Sequence, residues 1–237
     1  MKVVILAGGS GTRAYPYTEY LPKPMMPVGG KPVLLRVMEI YARQGFTDFV
    51  ISVGYRKEVI LDYFENRTLG WNVEIVDTGP TTDTGGRIFN CRHLLGETFM
   101  ATYADGLSDV SLDQLLRFHR QSAVLGTLTC VPLRSQYGTV SSGADGLITE
   151  FKEKPVMPDH WINAGFFVME PAIFDHWHGE NLERDVFPSL LPQRQLAAYR
   201  HDGFFKSMDT YKDQQEIEAM FSAGNLPWLR PVGQAAA

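Results

Sequence analysis

The sequence has little cysteine, no surplus of positive charge and no long apolar run, and each shortage removes a class of protein. Two cysteines in 237 residues cannot build a disulfide framework. Cys91 and Cys130 lie in apolar patterns without metal-ligand spacing, so they read as buried free thiols of a reducing compartment. Acidic residues outnumber basic ones 27 to 22, giving a net charge of −5. A nucleic-acid surface needs a basic face, so no nucleic-acid partner is expected. No stretch is long enough to span a bilayer, and Met1 opens a strand-like run rather than a signal peptide. The expectation is a cytoplasmic protein without a membrane partner. The six histidines show no ligand spacing and no nearby Ser or Cys nucleophile, which leaves them helix-surface and packing roles. There is no linker, repeat or low-complexity segment. The composition, 44% apolar and 21% charged, is that of an ordinary globular protein.

What is present begins at the N-terminus. Met1–Ala7 is an apolar, β-branched run of the kind that forms a buried parallel strand. It empties into Gly8-Gly9-Ser10-Gly11-Thr12-Arg13, where glycines let backbone N–H groups converge on an anion and Arg13 adds a fork of donors. Lys23, set between Pro22 and Pro24, is a second cation of restricted backbone freedom. An acidic protein that binds a polyanion must gather its cations locally or recruit a metal ion, and this stretch fits a polyphosphate site. Gly9-x-Gly11-x-x-Ala14 formally matches a dinucleotide fingerprint, but Tyr15-Pro16 and a proline-rich loop follow in place of a helix, and the acidic residue about twenty positions on is missing. A P-loop would need Gly-Lys-Ser/Thr after the glycines. A ligand-free glycine turn would account for the glycines but not for the two cations as well.

Downstream, the pattern predicts a helix over 31–42, a strand over 49–53, a helix over 57–66, a strand over 71–76, a helix from the Thr84-Gly85-Gly86-Arg87 turn to about Leu95, and a strand over 99–103. Strand and helix alternate, as in a parallel doubly wound sheet. The second half is more mixed: a helix over 113–121, a strand over 126–133, a hairpin over 139–151, a strand over 161–169, strands near 196–201 and 204–208, and a last helix over 211–223. The expected fold is α/β, with a mixed, mostly parallel, doubly wound, Rossmann-like sheet whose second half supplies the pocket of a second substrate. That half should cover the sheet edge of the first.

In such sheets ligands sit beyond the carboxyl ends of the strands, where Gly8–Arg13, Thr84–Gly86 and Asp105 all fall. Asp105 and Asp209 each end an apolar strand, a position where a carboxylate is expensive unless solvated or coordinated. With phosphate oxygens and waters, two carboxylates make the octahedral surroundings of Mg²⁺. The plainer alternative is that Asp105 caps the following turn and Asp209 the helix starting at Tyr211. Asp109 and Asp113 read as turn and first-turn residues. Lys154, before Pro155, could be a solvated edge charge. Asn163 in an apolar strand needs a partner, either a sugar hydroxyl or a backbone group. Tyr15, Tyr17, Tyr20 and Tyr103 are candidates to line a pocket.

These residues resemble the sugar-1-phosphate nucleotidyltransferases, most closely their glucose-1-phosphate cytidylyltransferase branch, over almost the whole chain. The resemblance rests on Leu6–Arg13, Pro22-Lys23-Pro24-Met25, Val76-Asp77-Thr78-Gly79 with Thr84–Arg87, Asn163–Val168, Ser207-Met208-Asp209-Thr210 and Asn225-Leu226-Pro227-Trp228. It implies an Mg²⁺-dependent transfer between an NTP, CTP being favoured, and a sugar 1-phosphate. dTTP, GTP or another phosphorylated acceptor are alternatives, as is a non-catalytic regulatory homologue that binds nucleotide sugars. By resemblance, Leu6, Ala7, Gly8, Gly9, Gly11, Thr12, Arg13, Lys23, Thr84, Gly85, Gly86, Tyr103 and Ala104 would bind the nucleotide. Gly138, Glu153, Lys154, Asn163 and Gly165 would bind the sugar phosphate. Asp105 and Asp209 would hold the metal, and Arg13, Lys23, Asp105 and Lys154 would act in catalysis. The implied layout is one domain over 1–237, with a nucleotide half (1–110), a sugar-phosphate half (111–230) and a tail (231–237), assembled as a homo-oligomer. Two departures from the branch stand out. Ala104 takes the place of a Gly, and the short Arg67–Gly70 turn stands where the branch carries a long insertion.

Overall fold

The structure is a computed structural model that describes residues 1–14, 17–65 and 67–230, without the side chain of Arg13. The expectations placed on the Arg13 side chain, on Tyr15, on the helix end at Asn66 and on the tail lie outside the described residues.

Strand β1 (Lys2–Leu6) is apolar on both sides because both sides are covered. Val3 and Ile5 join the core on one face of the sheet, while Val4 and Leu6 join the core on the other. The chain then passes through single helical turns at Thr12–Ala14, Tyr17–Glu19 and Lys23–Met25. A two-residue ladder, β2 (Pro27–Val28) with β3 (Lys31–Pro32), delays helix α1 (Val33–Ala42) by two residues from its expected start. Next come β4 (Asp48–Val53), α2 (Lys57–Glu65) and β5 (Asn72–Asp77), stacked outward in parallel from β1. Helix α3 (Thr84–Asn90) is shorter than expected, and residues 92–94 continue as a tighter turn. The chain then crosses back, and β6 (Phe99–Tyr103) pairs in parallel with the opposite side of β1. The direction of winding thus reverses at β1, which opens a crevice beyond the carboxyl ends of β1 and β6.

The second half extends this sheet by hydrogen bonding to its exposed edge. It begins with β7 (Gly106–Ser108), α4 (Leu112–Ser122) and β8 (Gly126–Arg134). The hairpin of β9 (Thr139–Ser142) and β10 (Ile148–Lys152) leads to β11 (Val156–Met169). Strand β11 runs antiparallel to both β6 and β8. A π-helical turn at Leu182–Val186 runs into α5 (Phe187–Leu190), and β12 (Leu196–Arg200), β13 (Phe205–Ser207) and α6 (Tyr211–Ser222) follow. The sheet has seven strands in the order β12-β8-β11-β6-β1-β4-β5, with β11 alone reversed. This is the mixed, mostly parallel sheet expected of the sequence. Among the described residues no helix is long and apolar enough to cross a membrane.

Candidate functional site

Lys23 sits on the turn that Pro22 and Pro24 pre-set, and its side chain is largely buried. Its Nζ lies 2.5 Å from Asp105 Oδ2 and 2.8 Å from Asp209 Oδ1. Burial alone would lower the pKa of this ammonium, but Asp105 and then Asp209 outweigh it and hold the pKa above the usual lysine value. One cation therefore stands between two carboxylates that come from distant parts of the chain.

A small ladder makes this possible. Residues 106–108 and 205–207 pair antiparallel, Gly106 opposite Ser207, and Met208 N donates to Asp105 O at 3.0 Å. Asp105 and Asp209 are the residues that flank this ladder at one end. Asp209 is not the cap of α6. Thr210 caps that helix in a reciprocal box with Asp213, which leaves the Asp209 carboxylate to Lys23 and to Ser207, whose Oγ donates to Oδ2 at 3.0 Å. Asp105, likewise, is engaged in the crevice by Lys23. Among the described residues no group of three or more His, Cys, Asp or Glu could hold a metal by itself. Two converging carboxylates still suit a hard divalent cation whose other positions are filled by waters and substrate oxygens.

Around this centre lies a cavity of 590 Å³. Of the residues singled out in the sequence, Leu6, Gly9, Gly11, Lys23, Thr84, Tyr103, Ala104, Asp105, Asn163 and Asp209 line it. One wall is a hydrogen-bond chain that the sequence did not reveal. Tyr103 OH donates to Glu183 Oε1, Thr84 Oγ1 donates to Glu183 Oε2 at 3.0 Å, and Asn163 Nδ2 reaches Tyr103 OH at 3.4 Å. Asn163 Oδ1 accepts from Gly165 N at 2.8 Å, the backbone partner weighed for it. Gly165 has φ +76°, and a Cβ there would fall 2.2 Å from Tyr103 Cδ2, so its bare backbone is what admits the tyrosine ring. Glu183 comes from the π-helical turn, which Asn181 caps by accepting from Glu183 N and Arg184 N.

Other expected residues sit behind or beside the cavity. Ala7 is buried and donates its N–H to Ser52 O, Gly8 packs against Arg87, and Thr12 is exposed. Gly85 and Gly86 pack against Glu180, with Gly86 N donating to Glu180 O at 2.8 Å. Arg87, the last residue of the turn expected against the base, points into the protein. Gly138, Glu153 and Lys154 do not line the cavity; they belong to the exposed β9–β10 hairpin and its exit, where Lys154 takes φ +46°. Their neighbours Gln136 and Val156 border a second chamber of 350 Å³, which shares Ile162, Phe205 and Ser207 with the first. Tyr17 stacks on Tyr211 at 4.6 Å, and Tyr20 is exposed. Asp109 is more than a turn residue: its Oδ1 accepts from His201 Nε2 at 2.8 Å and from Phe204 N at 2.7 Å. The two cysteines are unpaired. Cys91 is buried, and desolvation pushes its thiol up to about 12. Cys130 is only partly buried.

The profile of the family described as Nucleotidyl transferase matches residues 2–213. A Bacillus subtilis protein named a probable glucose-1-phosphate cytidylyltransferase is 36% identical, the match covering 96% of this chain and 99% of that one. The glucose-1-phosphate cytidylyltransferase of Salmonella typhimurium is 35% identical, with 96% and 98% covered. The first of these alignments runs over 253 positions, more than the 237 residues here, so that relative carries residues this chain does not. HddC of Yersinia pseudotuberculosis, solved in complex with GMP-PN, has the same fold at a TM-score of 0.71 and 23% identity, covering 93% of this chain and 99% of that one. A glycine loop ending the central strand, carboxylates gathered beside it and a profile match across both halves lead to one conclusion: the chain belongs to the nucleotidyl transferase family.

Proposed function

We propose that this chain joins a nucleoside triphosphate to a sugar 1-phosphate, giving a nucleotide sugar and pyrophosphate, with CTP and glucose 1-phosphate as the favoured pair. The observation that carries the reading is the Lys23 ammonium held between Asp105 and Asp209 at the mouth of the central strands. The preference for CTP and glucose 1-phosphate rests on the names of the Bacillus and Salmonella relatives.

The acceptor phosphate oxygen attacks the α-phosphorus in line, and the bond to the leaving pyrophosphate breaks. A sugar phosphate is largely dianionic at neutral pH (second pKa about 6), so it needs no general base. Among the described residues no histidine lines the cavity, in keeping with that. Mg²⁺, held by Asp105 and Asp209, would neutralise charge on the phosphate oxygens. Lys23 and Arg13 supply the protein's own cations, and the glycine loop offers backbone donors to the triphosphate. Lys154, outside the cavity, would join them only if the hairpin exit approached the bound sugar phosphate. Thr84 and Tyr103, fixed by Glu183, form the wall beside the nucleotide; Asn163 joins that wall to the sugar side.

Both halves contribute strands to one sheet, which supports a single catalytic domain. An isolated two-stranded hairpin is marginal in water, and β9–β10 exposes Val140, Leu147, Ile148 and Phe151, which supports a homo-oligomer that covers it. The unpaired cysteines support a reducing, cytoplasmic setting. Pyrophosphate release, measured across four NTPs and a panel of sugar 1-phosphates with and without Mg²⁺, tests the proposal. The expected result is release that is strongest with CTP and glucose 1-phosphate and abolished by chelation. Nucleotide-sugar binding without release for any pair would favour a regulatory homologue instead. Preference for dTTP or GTP would move the chain to another branch of the same chemistry.

A further inference from the structure

Arg87 is a buried cation, 3% exposed, and all the hydrogen bonds it donates go to uncharged oxygens of neighbouring loops. Its Nη2 donates to Gly8 O at 2.9 Å. Its Nη1 donates to Thr78 Oγ1 at 2.8 Å, to Gly79 O at 3.1 Å and to Val53 O at 3.3 Å. One planar group thus ties together the segments that leave β1, β4 and β5 at their carboxyl ends. It does so from α3, the helix whose first residue, Thr84, lines the cavity.

The fit is tight enough to dictate sequence. A Cβ on Gly8 would lie 1.9 Å from Arg87 Nη1, and one on Gly54 would lie 2.8 Å from the same atom. The first glycine of the loop is therefore required by the guanidinium beneath it, while Gly9 and Gly11 face the cavity. The Gly8 carbonyl accepts from both Arg87 Nη2 and Tyr55 N, each at 2.9 Å, and the two donors together fix the direction in which the loop leaves β1. A guanidinium's fixed fork suits several acceptors at once, whereas an ammonium on a flexible stem does not.

We propose that Arg87 is a positioning residue that sets the phosphate-binding loop at a fixed distance from the base-side turn, so that triphosphate and base are held together. This rests on the NTP-dependent reaction proposed above. Arg87 touches the backbone of the loop and no cavity surface, so its effect passes through Gly8.

The test is Arg87→Lys, with Thr78→Val as a second variant that removes one acceptor and keeps the arginine. Thr78 is buried and does not line the cavity. Arg87→Lys is expected to raise KM for the NTP about tenfold and to lower kcat, while KM for the sugar phosphate stays within about twofold. Thr78→Val, which also removes the hydroxyl's contacts with Ser52 Oγ and Val53 O, shows the same split more weakly. The two effects on KM for the NTP are less than additive in the double variant, because Arg87 and Thr78 share a contact. Hydrogen exchange on the protein without substrates should speed up at Gly8–Thr12 and leave the β4 amides unchanged. That readout does not depend on turnover, so inactivity of the wild type towards every NTP would sink the proposed reaction without touching it. A variant with lower Tm but unaltered KM values and unaltered loop exchange overturns the assignment. So does an equal rise in both KM values. If Arg87→Lys fails to fold, Thr78→Val alone decides by the same criteria.

Discussion

Ser207 lies opposite Gly106 in a three-residue antiparallel ladder, and this pairing puts Asp105 and Asp209 on one ammonium. Neither aspartate owes its place to a helix cap. Their carboxylates are aligned by short strands of the second half that are not part of the main sheet, so site geometry depends on a pairing distinct from the seven-stranded core.

Replacing either carboxylate should separate activity from folding. In Asp105→Asn or Asp209→Asn, Lys23 keeps one carboxylate, so the fold survives and Tm moves little. Pyrophosphate release is expected to fall by about 10²- to 10³-fold or more, the loss typical of one preorganised charge contact. Wild-type turnover with Mg²⁺ in either variant would remove the metal assignment.

The N-terminal half of the site was legible because its signals are local. An apolar run, glycine punctuation and prolines around Lys23 need no knowledge of the rest of the chain. Strand β7 escaped because three residues carry no period, and its partner β13 lies near the other end of the sequence. Glu183 escaped for the same reason: it reaches Thr84 and Tyr103 across sequence separations of 99 and 80. One missed cue was available. Thr210-x-x-Asp213 is a capping-box pattern, and it marks Thr210, not Asp209, as the start of α6. The direction in which the hairpin carries Glu153 and Lys154 follows from tertiary packing, which spacing alone cannot supply.

Lys23→Met should expose the competition at the centre. The ammonium that stands between the carboxylates is lost, and like charges near each other are relieved by a divalent cation. Mg²⁺ is therefore expected to raise the Tm of Lys23→Met more than that of the wild type, although turnover is lost. Thermal melts across an Mg²⁺ titration read this directly, and equal shifts would contradict it.

Gly165→Ala places a methyl group 2.2 Å from Tyr103 Cδ2 at a φ of +76°. The tyrosine must swing or the strand must shift, at a cost of about 1–3 kcal/mol. Because Tyr103 also lines the cavity, activity should fall together with stability, as chemical denaturation and initial rates would show. Preserved kcat/KM with unchanged stability would mean that the ring is not fixed there.

Glu183→Ala removes the acceptor shared by Thr84 and Tyr103. Losing that alignment of the wall should lower kcat/KM by roughly 10- to 100-fold, about 1.4–2.7 kcal/mol of transition-state stabilisation. Glu183 is exposed at the cavity wall, so Tm should change little. Glu183→Gln, which keeps an acceptor, should recover part of the loss. No difference between the two variants would argue against a hydrogen-bond role.

Asp109 clamps the same ladder from its far end, and its protonation should loosen it. Burial opposes ionisation of this carboxyl, but His201 Nε2 and Phe204 N outweigh the burial and hold its pKa below the usual value. The folded state therefore binds fewer protons than the unfolded one near the acidic limit. The stabilisation is complete above the unfolded pKa of about 3.9 and fades as pH falls through the lower folded value. Asp109→Asn lacks that charge at every pH. Calorimetry should therefore show its Tm deficit against the wild type at full size near pH 6 and narrowing below about pH 4. A deficit that stays constant into strong acid would mean that the clamp works by shape and not by charge.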